Sequence, residues 1–77
     1  MNTSTVDIYL KSGQTLTSNM EDAEVTRLTD DFANFVTSDN PANSGGVYNG
    51  NTGGTALSIF LAFDDVAAVV VHGMAAR

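Results

Sequence analysis

Residues 55–74 read TALSIFLAFDDVAAVVVHGM, and this stretch constrains the fold more than any other part of the chain. In its first half every second residue is large and apolar, and this period of two predicts a strand with one face buried. Those residues are Leu57, Ile59, Leu61 and Phe63. The valines at 69–71 predict a second strand, because β-branched residues favour the extended backbone.

Asp64 and Asp65 interrupt this stretch between its two predicted strands. Aspartate is depleted in strands and favoured in turns, where its side chain accepts hydrogen bonds from the local backbone. We therefore predict a solvated turn at these two residues. The apolar run at 56–71 is also too short and too charged to predict a membrane span.

The first half of the chain predicts a hairpin followed by a helix. Alternating apolar residues and Gly13 indicate a β-hairpin over 4–18. A helix is predicted over about 20–37, where apolar side chains recur with helical spacing on one face. They are Val25, Leu28, Phe32, Phe35 and Val36. Two overlapping capping patterns mark its start, Ser18 with Glu21 and Asn19 with Asp22.

Residues 38–54 are rich in glycine and asparagine and leave two interpretations open. Val47 and Tyr48 are good strand formers, which favours a short strand that turns back as a hairpin. The alternative is a mobile or functional loop that presents Tyr48 to a partner.

These elements predict one α+β domain over 1–77, with a small, mostly antiparallel sheet of order β-β-α-(β)-β-β along the chain. One amphipathic helix packs on one face of this sheet and cannot cover the other. The alternation places Phe60 and Val70 on that second face. We therefore predict a homodimer or larger assembly with these two residues in the interface.

The charge balance excludes several partner classes. The chain has nine acidic residues against three basic ones, a net charge of −6. Nucleic acid and anionic membranes both demand clustered Lys and Arg, so neither is an expected partner. There is no cysteine, and the N-terminus has no signal-peptide pattern, so a cytoplasmic location is expected.

No motif for catalysis, a metal or a cofactor is present. The adjacent carboxylates at 30–31 and 64–65 point in different directions and are read as solvated acids. His72 has no paired nucleophile, and its expected role is a polar strand end or an intersubunit contact. The glycines at 45–54 match neither a phosphate-binding loop nor a calcium loop.

Two stretches of the sequence resemble known groups of proteins. Residues 6–17, with alternating apolar positions, Lys11 and Gly13, resemble the opening of Sm-like RNA-binding proteins. A helix then replaces that family's third strand and the chain is acidic, so RNA binding is not carried over. Over most of its length the chain resembles small uncharacterised proteins of actinobacteria and their phages, with a closing strand at 63–71. This resemblance assigns no activity and no site residues.

The leading functional hypothesis is a small non-catalytic homo-oligomer that binds another protein through its acidic helix face or its Gly-rich loop. The predicted partner-binding residues are Glu21, Asp22, Glu24, Asp30, Asp31 and Tyr48. One alternative is an acidic, phage-encoded inhibitor that imitates nucleic acid at a basic site of a host protein. The other is a small enzyme that assembles Asp64, Asp65 and His72 across a subunit interface.

Overall fold

The computed structural model describes residues 3–41 and 43–72. Within these ranges the chain forms five strands, one α-helix and one turn of 3-10 helix, which confirms the predicted α+β class. In chain order the elements are β1 (Thr3–Leu10), β2 (Thr15–Glu21), α1 (Asp22–Thr37), β3 (Gly45–Thr52), β4 (Thr55–Ala62), the 3-10 link (Phe63–Asp65) and β5 (Val66–His72).

The sheet is antiparallel, with the strand order β4-β3-β2-β1-β5. β4 and β5 therefore lie at opposite edges, although only the 3-10 link joins them. A flat sheet would separate these strands by about 19 Å, whereas the link spans at most about 15 Å. The sheet must curl, and two backbone hydrogen bonds hold the link in place. Lys11 N donates to Asp65 O at 2.8 Å, and Phe63 N donates to Ser44 O at 2.9 Å.

Strand alternation and the helix together form the core. Inward-facing residues of the curled sheet meet the apolar face of α1, as the sequence predicts. Val36, predicted on this face, is an exception, because its side chain is 59% exposed. Among the described residues, the buried apolar side chains are Val6, Ile8, Met20, Leu28, Tyr48, Leu61, Phe63 and Val66. Phe63 lies at the centre, with its ring 5.5 Å from that of Phe32 and 5.6 Å from that of Phe35. The 3-10 link thus anchors both edge strands to the helix.

The start of the helix differs from the prediction. α1 begins at Asp22, directly after β2, and its N-cap residue Glu21 makes no side-chain capping bond. Neither predicted capping pattern forms. Ser18 and Asn19 belong to β2, where pairing with β1 holds them in an extended backbone. β1–β2 pairing is favoured over a capping turn because it provides hydrogen bonds for the same backbone groups.

The Gly-rich segment contains β3 and the turn into β4, so the hairpin interpretation describes it better than the loop. Residue 42 of this segment lies outside the described residues. Gly53 and Gly54 form the turn with φ of +59° and +84°, a left-handed pair that glycine adopts without strain. Asp64 and Asp65 lie in the 3-10 link and are exposed, which agrees with a solvated turn.

Candidate self-association surface

The β3–β4 hairpin is uncharged. Residues 45–62 contain no Asp, Glu, Lys or Arg, although the chain as a whole carries a net charge of −6. All the acidic residues therefore lie in other elements. The outer face of this hairpin, which points away from the core, therefore has no charged side chain of its own.

Phe60 dominates this outer face. Its side chain is 77% exposed, the most exposed large apolar residue among those the structure describes. Val47 lies opposite it on β3 and is 44% exposed. The other outward residues of β4 are small: Ala56, Ser58 and Ala62. The Phe60 ring therefore projects from a surface of small side chains.

β4 is also an open edge, because it is the last strand of the sheet on its side. The two-residue turn makes Thr52 and Thr55 the first hydrogen-bonded pair of the hairpin. Antiparallel pairs alternate, so the odd-numbered residues of β4 bond to β3 and the even-numbered ones point their backbone groups outward. The even-numbered residues are Ala56, Ser58, Phe60 and Ala62.

The contacts of β3 support this parity. Its odd-numbered residues must point their backbone groups away from β4, and three of them bond to other elements. Val47 O accepts from Arg27, Asn49 N donates to Glu24, and Asn51 N donates to Ser18 Oγ.

Helix side chains take the place of a strand partner along part of β3. β2 and β3 pair directly only at Asn19 and Asn51. Beyond that point, Arg27 Nη2 donates to Val47 O at 2.6 Å and to Glu24 Oε1 at 2.8 Å. The Asn49 backbone N–H and the Arg27 guanidinium both stabilise the Glu24 carboxylate and lower its pKa. The helix thereby holds the hairpin in position.

Tyr48 is inside the protein, so its predicted role as an exposed loop contact is wrong. It lies on the inner face of β3 and is fully buried. Its hydroxyl donates to Asp31 Oδ2 at 2.8 Å, and the Arg27 guanidinium lies 4.5 Å from its ring centroid. Burial, together with the neighbouring Asp31 carboxylate, raises the pKa of Tyr48 to about 12.

These contacts bind some of the carboxylates of the predicted acidic helix face and leave the others exposed. Glu24 and Asp31 bond to the hairpin, whereas Glu21, Asp22 and Asp30 are exposed. Three of the five predicted carboxylates therefore remain on the surface and two are structural.

The opposite edge, β5, has a different character. Tyr9 pairs with Ala68 and Leu10 pairs with Val66, so Ala67 is an unpaired bulge residue in an edge strand. The exposed Asp64 and Asp65 precede this strand. Val70, predicted with Phe60 as an interface residue, is 37% exposed. Its exposure is about half that of Phe60.

Sequence reasoning missed a polar cluster at the end of β5. His72 Nε2 lies 2.7 Å from Asp7 Oδ2, and the Thr17 hydroxyl donates to Asp7 Oδ1 at 2.8 Å. Both contacts lower the pKa of Asp7, that of Thr17 most. These residues belong to β5, β1 and β2, so only the strand order could reveal them. Within one chain, His72 lies a whole strand away from Asp64 and Asp65.

Other site types find no support in the part of the chain that the structure describes. No three His, Cys, Asp or Glu residues there come together as a potential metal site. In the same residues, no helix combines the length and the apolar character needed to cross a membrane. No protein-family model matches the chain, and no curated protein or solved structure matches it. A functional proposal therefore rests on the geometry of this chain.

Proposed function

We propose that this protein is a small, non-catalytic, cytoplasmic interaction protein that self-associates through the outer face of the β3–β4 hairpin. The observation that carries the proposal is Phe60, 77% exposed on a hairpin without charged residues. Exposed aromatic anchors on uncharged surfaces are typical of protein interfaces.

Electrostatics favours self-association at this face. Two copies of a chain with net charge −6 repel each other. Charges closer than about 8 Å interact strongly at physiological salt, so association is favoured at a face without unpaired acids. The hairpin has no acidic residue of its own, and Glu24, which accepts from Asn49 N, is paired with Arg27.

The hydrophobic gain supports the same choice. Covering a phenylalanine side chain contributes about 2–3 kcal/mol. Val47 extends the apolar surface across the strand pair. A chain of 77 residues without disulfides also has a small core, and self-association is one way to stabilise it.

A second protein would bind at the acidic helix surface. Glu21, Asp22 and Asp30 are exposed near one another in the sequence, and their complement is a basic surface. The alternative of a nucleic-acid imitator receives less support, because Glu24 and Asp31 form bonds within the protein. The remaining carboxylates are sparse compared with a phosphate backbone.

The test is the native mass in solution, measured by light scattering during size exclusion at several concentrations. We expect a wild-type mass of at least twice the 8.0 kDa of one chain. Phe60→Glu should shift the protein to monomer. Thr26→Glu adds the same charge at an exposed helix position and serves as the matched control, which should keep the wild-type mass. A wild-type monomer at all concentrations, or an assembled Phe60→Glu variant, would overturn the proposal.

A further inference from the structure

We infer that two copies associate by antiparallel pairing of their β4 strands about a two-fold axis, which joins the two sheets edge to edge. This inference rests on the proposed self-association and specifies its geometry. It makes the backbone of β4, and not only the Phe60 side chain, the binding element.

β4 can form hydrogen bonds along its outer edge. Its even-numbered residues point their N–H and C=O groups away from β3, as the hairpin parity requires. These groups form a regular row along an eight-residue strand. A second strand can therefore add to this edge without breaking any bond within the hairpin.

β4 also lacks the features that block pairing of edge strands. Monomeric proteins protect edge strands with charges, proline or bulges. β4 reads TALSIFLA and contains no charged residue and no proline. Its pairing with β3 is continuous from Thr55 to Ala62 and has no bulge. β5, in contrast, has the bulge at Ala67.

Charge selects β4 of the second copy, and not its β5, as the strand that pairs with β4. In antiparallel β4–β4 pairing, Asp64 and Asp65 of the two copies lie at opposite ends of the shared strands. An eight-residue strand separates them by about 26 Å, well beyond the screening length. Each acidic pair faces the uncharged turn at 53–54 of the other copy. Antiparallel β4–β5 pairing would instead place the four aspartates side by side.

The side chains are compatible with this arrangement. When Ser58 of one strand lies opposite Phe60 of the other, the two Phe60 rings become diagonal neighbours on one face. The neighbouring positions Ala56 and Ala62 are small, so each ring has room to lie flat across the joined strands. The backbone pairing and the apolar contact therefore reinforce each other.

The experiment removes one outward N–H and leaves the side-chain surface in place. Ser58→Pro deletes a donor that the hairpin does not use, and an edge strand tolerates proline at such a position. Ser58→Ala keeps the N–H and is the matched control. We expect Ser58→Pro to weaken dimerisation at least 100-fold while circular dichroism shows a folded chain, and Ser58→Ala to dimerise like the wild type.

Hydrogen exchange of the wild type supplies a measurement that does not depend on a variant that folds. In the dimer, the Ser58 and Phe60 amides should exchange slowly, and dilution to monomer should make them exchange fast. Protection of outward amides in β5 instead of β4 would overturn the inference.

Failure of this inference differs from failure of the proposed function. If Phe60→Glu is monomeric but folded Ser58→Pro remains dimeric, the copies pack face to face without strand pairing, and only the inference is wrong. If the wild type is monomeric, both are wrong. A tetramer or larger ring would also overturn it, since a two-fold edge contact closes at two copies.

Discussion

β4 and β5 are both edge strands of one antiparallel sheet and are similar in length, eight and seven residues. β5 follows two exposed aspartates and contains a bulge, and its end is tied to β1 by the contact between His72 and Asp7. β4 has regular pairing on one side and a charge-free, unpaired backbone on the other. An exposed apolar residue therefore indicates an interface only when the edge strand that carries it is free to pair. Phe60 lies on an unprotected edge, and Val70 lies on a protected one.

The core contact that joins the two edges should have the largest effect. Phe63 lies in the 3-10 link and packs against Phe32, Phe35 and Tyr48. Phe63→Ala should lower the free energy of unfolding by about 3–5 kcal/mol, as for other buried aromatics. Urea denaturation followed by circular dichroism measures this change. Phe60→Ala removes the same side chain from the surface and is the control, measured at a concentration where the protein is monomeric. If Phe63→Ala and Phe60→Ala lowered the free energy of unfolding of the monomer equally, the distinction between a core residue and an edge residue would be wrong.

Alkaline pH should weaken the contact that holds the hairpin to the helix. The pKa of Tyr48 is raised to about 12 in the folded protein, whereas it is about 10 in an unfolded chain. Between these values the unfolded chain loses the proton first, so stability falls as pH rises from about 10 to 12. The loss should reach at most about 3 kcal/mol, because each pKa unit corresponds to about 1.4 kcal/mol.

Chemical denaturation of wild type and Tyr48→Phe at pH 8 and pH 11 checks this prediction. The variant has no titrating hydroxyl at residue 48, so its stability should fall less over this range. At pH 8 it should be about 1 kcal/mol less stable than the wild type, since it lacks the hydrogen bond to Asp31. An identical pH response in both proteins would contradict the prediction.

The smallest expected effect is on the dimer dissociation constant, and it distinguishes β4–β4 pairing from β4–β5 pairing. Neutralising Asp64 and Asp65 with the double substitution to Asn should change the dimer dissociation constant less than about threefold if β4 pairs with β4, because the charges are then far apart. If β4 paired with β5, the same change would remove a close repulsion and tighten the dimer about tenfold or more. Sedimentation equilibrium at 20 mM and 150 mM salt distinguishes the two results. The double substitution Asp30→Asn with Asp39→Asn removes the same number of charges at two other exposed aspartates and serves as the control for net charge.

Much of the fold follows from local patterns. The period-two and helical spacings predict the first hairpin, the helix and the last two strands, since each depends on residues a few positions apart. The same alternation places Phe60 on the outer face. The helix start could not be predicted, because pairing of Ser18 with Val6 overrides the capping pattern. The burial of Tyr48 depends on Asp31 and Arg27, 17 and 21 positions earlier in the chain.

The sequence alone predicts β1, the first part of β2, β4 and β5, together with their apolar faces, and it shows that residues 45–62 carry no charge. It leaves β3 open and misses the end of β2. Which strands form the edges of the sheet depends on the tertiary structure, because the sheet must curl around Phe63 before three residues can connect β4 with β5. The tertiary structure also joins His72 to Asp7, residues 65 positions apart. The periodicity of apolar residues predicts which side chains face the core and which face solvent. The neighbour across the sheet is set by packing, which no local pattern contains.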